Sequence, residues 1–90
     1  MHRFVWSKEV LNYLKDNEGL VNQLELAFAD LRKSATGTPP YGIIDEGISP
    51  DRYLWRIHDH AVLIRKGVED GQPKLWIEAI KPIATKHSRG

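Results

Sequence analysis

The sequence predicts an α+β domain of order β-α-α-β-β-β, with a helical hairpin packed on one face of a small, mainly antiparallel sheet. Three observations lead there. Apolar residues recur at three- and four-residue spacing from Leu20 to Leu31, the period of a helix with one buried stripe. The runs Tyr53-Leu54-Trp55-Arg56-Ile57 and Ala61-Val62-Leu63-Ile64-Arg65 flank a polar His58-Asp59-His60 corner, as two strands joined by a tight turn do. A third run, Lys74 to Ile80, follows Glu69-Asp70-Gly71, in which Asp-Gly supplies the positive-φ residues of a hairpin turn.

The elements follow in order. Arg3-Phe4-Val5-Trp6 reads as a short first strand, and Ser7 as the N-cap of a helix starting at Lys8. Val10, Leu11 and Leu14 share one face of that helix, and Asn17-Glu18-Gly19 ends it, with Gly19 in the left-handed C′ position. A second helix carries Leu20, Leu24, Ala27, Phe28 and Leu31 as its core stripe and runs to Lys33, after which Gly37 and Pro39-Pro40 forbid continuation. Residues 34–50 are a long irregular connection in which Tyr41 to Ile44 could add a short edge strand, weakened by Gly42 and Gly47. Pro82 ends the last strand. Residues 1–81 form one domain and 82–90 a flexible tail.

Composition narrows the class. Ninety residues bury only about 60–65% of their unfolded surface, which leaves a thin stability margin. Hydrophobic content of 41% with 28% charged residues argues against disorder. With no cysteine there is neither a disulfide nor a thiolate metal site. His2, Arg3 and Trp6 interrupt the only apolar N-terminal stretch, so neither a signal peptide nor a membrane span is expected, and a cytoplasmic location is. A net charge of +1 falls short of the basic excess usual for nucleic-acid binders, so any phosphate contact is local.

The order of elements and the phrase Tyr53-x-Trp55-Arg56-Ile57-x-Asp59 resemble the RelE/ParE superfamily of toxin–antitoxin toxins across most of residues 2–81. The family's central signature runs roughly Tyr-Arg-Leu-Arg-Val-Gly-Asp-Tyr-Arg-Val. Tyr53, Arg56, Ile57, Asp59 and Val62 agree with it, and Trp55 keeps its apolar character. Leu54, His58, His60 and Ala61 depart. The resemblance implies that the messenger-RNA-cleaving members place an arginine where Ala61 stands, to stabilise charge at the scissile phosphate. The lysines those members carry upstream are also missing, and Asp45 and Glu46 occupy that region. The candidates left for catalysis are Arg56, Arg65, Lys81 and His87, the last with an intrinsic pKa suited to acid–base work.

This depletion is closer to the non-nucleolytic ParE-like branch, which the resemblance implies acts by binding DNA gyrase. The expected protein is thus a toxin-like component acting by binding a macromolecular target, with an antitoxin protein as partner and no cofactor, metal or membrane. Two alternatives stand beside it: a ribosome-dependent or free messenger-RNA endoribonuclease, and a small non-toxic interaction module. Arg56 reads either as functional or as the partner of Asp59 or Asp51 in a structural ion pair. His58 and His60 are two residues apart, as ligands on one strand face can be, but a hairpin corner favours polar residues anyway. Trp6, Trp55 and Trp76 read as core rather than as stacking platforms for bases.

Overall fold

The computed structural model describes residues 2–83. The elements are β1 (Arg3–Trp6), α1 (Lys8–Lys15), α2 (Glu18–Lys33), β2 (Ile43–Ser49), β3 (Arg52–Ile57), β4 (His60–Glu69) and β5 (Gln72–Pro82). The five strands form one open sheet in the order β1-β5-β4-β3-β2. β1 runs parallel to β5, with Arg3 beside Lys74, and every other pairing is antiparallel. The fold is therefore a small α+β domain with two helices and a five-stranded mixed sheet.

Ser7 caps α1 as its sequence suggests. Its hydroxyl accepts from the Val10 N–H at 3.1 Å and donates to the Glu78 carbonyl at 3.1 Å. The Ser7 N–H donates to the Ile77 carbonyl, so one residue both starts the helix and ties it to β5. Gly19, by contrast, is not a C′ residue. α1 ends at Lys15 with Asp16 as its C-cap, and Gly19 lies in the first turn of α2. The break needs no left-handed glycine because the Asn17 side-chain amide donates to the Tyr13 carbonyl at 2.7 Å, satisfying an orphan acceptor of α1's last turn.

The core lies between α2 and one sheet face. Leu20, Leu24, Ala27, Phe28 and Leu31 are buried against Tyr53, Trp55, Val62, Ile64, Leu75 and Ile77. Phe4, Trp6 and Phe28 pack edge-to-face with ring centroids 5.2–5.7 Å apart, a geometry that suits the aromatic quadrupole.

β2 corrects the predicted β-α-α-β-β-β order by adding a strand after the helices, and it occupies Ile43–Ser49 rather than Tyr41 to Ile44. Ile43, Ile44 and Asp45 pair with Arg56, Trp55 and Leu54, and the register then shifts before Ser49 meets Arg52. The glycine that weakened the expectation is what makes the pairing possible. Gly42 sits at φ 92°, and a Cβ there would come within 2.5 Å of Trp55 Nε1. The connection before it is pinned by two core rings. Tyr53 donates from its hydroxyl to the Gly37 carbonyl at 2.9 Å, and Trp55 Nε1 donates to the Tyr41 carbonyl at 2.9 Å.

Both expected hairpins form. Glu69 pairs with Gln72 across Asp70 and Gly71, whose φ values of 54° and 75° give the double positive φ of a type I′ turn. Ile57 pairs with His60 across His58 and Asp59, also at positive φ (51° and 59°). The Ile83 N–H donates to the Asp59 carbonyl at 2.8 Å, bracing that turn from the end of β5. Of the flexible tail expected at 82–90, Pro82 instead ends β5 and Ile83 is tied to Asp59, and the rest lies outside the described residues. Among the described residues no helix is long and apolar enough to cross a membrane.

Candidate functional site

Strand alternation divides the sheet into a covered face and an open one. Tyr53, Trp55, Val62, Ile64, Leu75 and Ile77 point under the helices. Their neighbours form three cross-strand rows on the open face. One row is Arg56, Ala61 and Lys81, the next is Leu54, Leu63 and Ala79, and the third is Arg52, Arg65 and Trp76.

A β-bulge arranges the third row. Leu63 pairs with Ala79 and Ile64 with Ile77, which leaves Glu78 as the extra residue on β5. Its carbonyl is thereby available to the Ser7 hydroxyl, and its carboxylate bridges two arginines on the open face. Arg52 Nε lies 2.8 Å from Oε1, and Arg65 Nε lies 3.0 Å from Oε2. The hydrogen bond from Arg52 is the main cause that holds the Glu78 carboxyl below the usual carboxylate range, with Arg65 adding to it against partial desolvation. The same contact raises the Arg52 pKa. Arg65 also lies 4.1 Å above the Trp76 ring, a cation–π contact. The ring also packs on Gly67, where a Cβ would approach it to 2.8 Å.

The sequence-predicted site residues do not converge on one point. Arg56 and Lys81 flank Ala61 in a single row, both exposed. Arg65 lies four residues from Ala61 along β4, roughly 13 Å away, beyond the leucine row. His87 lies outside the described residues. The expected ion pair of Arg56 with Asp59 or Asp51 is not among the described ones, and Asp51 instead lies 4.0 Å from Arg52. Trp55 is core, as expected, and Trp6 packs partly buried against it. Trp76 is a correction, since it lies half-buried on the open face.

His58 and His60 do not share a face. His60 turns toward α1, where Nε2 lies 2.9 Å from the Tyr13 hydroxyl and Nδ1 lies 2.8 Å from the His58 carbonyl. A carbonyl can only accept, so Nδ1 carries a proton, and a neutral ring accepts from Tyr13 at Nε2. Both ring nitrogens are thus engaged.

Arg52 and Glu78 were missed as site residues. The signal for Arg52 was its spacing of two and four from Leu54 and Arg56, which places all three on one face. Glu78 stood out only as one acid in an otherwise apolar run.

A second surface lies along β1, an edge strand. Clefts of ≈ 390 and ≈ 530 Å³ share Trp6, Leu14 and Val21, and together reach from Phe28 and Arg32 to Leu11 and Asn22. The Phe4–Trp6–Phe28 cluster walls this groove, beside the unpaired backbone edge of β1.

No family, no curated protein and no solved structure matches this chain in comparisons of sequence and fold.

Proposed function

We propose that this protein is a toxin-like member of the RelE/ParE superfamily that acts by binding a macromolecular target and is neutralised by an antitoxin protein. The observation that carries this reading is the chemistry of the open sheet face. It offers cations around a leucine row, and among the described residues it holds no imidazole, since His60 faces α1 and His58 sits in a turn. Such a face suits recognition better than proton transfer. The β1 groove supports the partner half of the reading, because an unpaired strand edge beside an apolar cleft is a setting for strand addition.

The decisive experiment is expression of the chain alone and together with a short adjoining reading frame. Growth arrest relieved by co-expression is the expected result. Undisturbed growth at an expression level that yields folded protein would end the toxin reading. Gyrase as the target rests on the resemblance, and a supercoiling assay with purified gyrase tests it.

A ribonuclease reading draws on one observation. Arg56 and Lys81 stand either side of Ala61 with no ion-pair partner among the described residues, which leaves both available to a phosphate.

A further inference from the structure

We propose that the open sheet face is the target-binding surface and that it takes an acidic amphipathic helix of a partner protein, laid across the strands along Leu54, Leu63 and Ala79. This rests on the binding reading above and names the chemistry of its target.

Three features of the face define that occupant. The apolar row crosses β3, β4 and β5, and the half-buried Leu54 and Leu63 leave it partly accessible. The flanking rows are cationic, with Arg56 and Lys81 on one side and Arg52 and Arg65 on the other. They lie four residues apart along the strands, roughly 13 Å. A helix with its side chains is about 10–12 Å across, so one fits between them with its apolar stripe down and carboxylates on its flanks.

The charges are also unequally compensated. Glu78 neutralises Arg52 and Arg65 in part, and Glu69 pairs with Lys74, whereas Arg56 and Lys81 have no acidic partner among the described residues. The Arg56–Lys81 flank is therefore the one that gains most from an incoming carboxylate.

Two other occupants fit less well. Single-stranded nucleic acid takes much of its affinity from stacking on exposed aromatic rings, yet Trp76 is half-buried, with Arg65 over its ring and Gly67 packed against it. Asp45, paired with Leu54, stands at the β2 end of the strip, so the carboxylates of the helix belong at the Arg56–Lys81 flank away from it. A second copy meeting this face through its own would set like charges against one another, because a two-fold interface apposes the same patch.

The test is a titration of the isotope-labelled full chain, followed by amide chemical shifts. The probe is a synthetic helical peptide of about 18 residues with a leucine stripe flanked by glutamates, and the control carries lysines in place of the glutamates. The expected result is perturbation centred on Leu54, Ala61, Leu63 and Ala79 by the glutamate peptide alone. Arg56→Glu with Lys81→Glu should weaken binding at least about tenfold, while Arg56→Lys retains it. Both side chains are exposed, and an unchanged spectrum of the double variant confirms that it folds. Four results would overturn the proposal: no binding of the glutamate peptide, equal binding of the lysine peptide, perturbation centred on the β1 groove, or tighter binding of a single-stranded RNA oligonucleotide at the same residues. So would concentration-dependent self-association through this face. Growth arrest that persists in the double variant would overturn this surface and leave the toxin reading intact. Peptide binding by a chain that does not arrest growth would do the reverse.

Discussion

The ring of Phe28 stands edge-on to that of Trp55, with centroids 5.5 Å apart and planes at 85°, so one side chain of α2 is locked to the middle of the sheet. Phe28 also meets Phe4 and Trp6, which makes it the link between an edge strand and an inner one. Phe28→Ala removes all three contacts and leaves a cavity. A loss of about 3–5 kcal/mol is expected, a large share of the stability of so small a domain. Chemical denaturation measures it, and an unchanged midpoint would take α2 out of the core.

Glycine substitutions should separate backbone strain from steric conflict. Gly71 sits at φ 75° in open space, so Gly71→Val is strained by conformation alone and should cost about 1–2 kcal/mol. Gly67 has no such φ, but a Cβ there meets the Trp76 ring at 2.8 Å. Gly67→Ala should therefore move that ring and change the tryptophan emission, whereas Gly71→Val should leave the emission alone. Identical spectra for the two variants would contradict the placement of Trp76.

The Glu78 bridge has a pH signature. Its carboxyl is held below the ordinary value of 4.5, so its contribution to stability is full above that value and is lost as pH falls through the lower folded-state value. Glu78→Gln should be less stable than the native chain at neutral pH, and the gap should close as pH is lowered through the folded-state value of Glu78. Thermal melts of both proteins across that range give the difference directly. A gap that does not change with pH would mean that Glu78 does not act through its charge.

Cleavage of messenger RNA should be weak or absent, both in isolation and on ribosomes. Ala61 stands between Arg56 and Lys81 and adds no cation to that row, and Asp45 shares the face. Positioned charge and an acid–base group together lower a barrier by several kcal/mol, which two cations alone do not supply. Codon-resolved cleavage mapping in a purified translation system tests this. Cleavage abolished by Arg56→Ala or His87→Ala would replace the binding reading with the ribonuclease one.

Much of this architecture is written in local pattern. The α2 stripe, the Ser7 cap and the Asp70-Gly71 turn each depend on a few neighbouring residues, and each forms where the pattern places it. β2 was harder to read because Gly42 lowers strand propensity, while its purpose, clearance for Trp55, involves a residue thirteen positions later. Trp76 was misread because Leu75, Trp76 and Ile77 are all apolar, so alternation carried no polar marker to say which side faces water. The Glu78 bridge was hidden for a similar reason. It depends on a register shift between β4 and β5, which no single strand records.

The parallel pairing of β1 with β5 has a consequence for synthesis. β1 finds its sheet neighbour only when Lys74 to Ile77 have left the ribosome, so until then Phe4 and Trp6 have Phe28 of α2 to pack on but no strand beside them. The sheet that presents Arg56 and Lys81 also needs β5, which carries Lys81 itself. The row of Arg56, Ala61 and Lys81 therefore arises late, and fragments that end before β5 lack it.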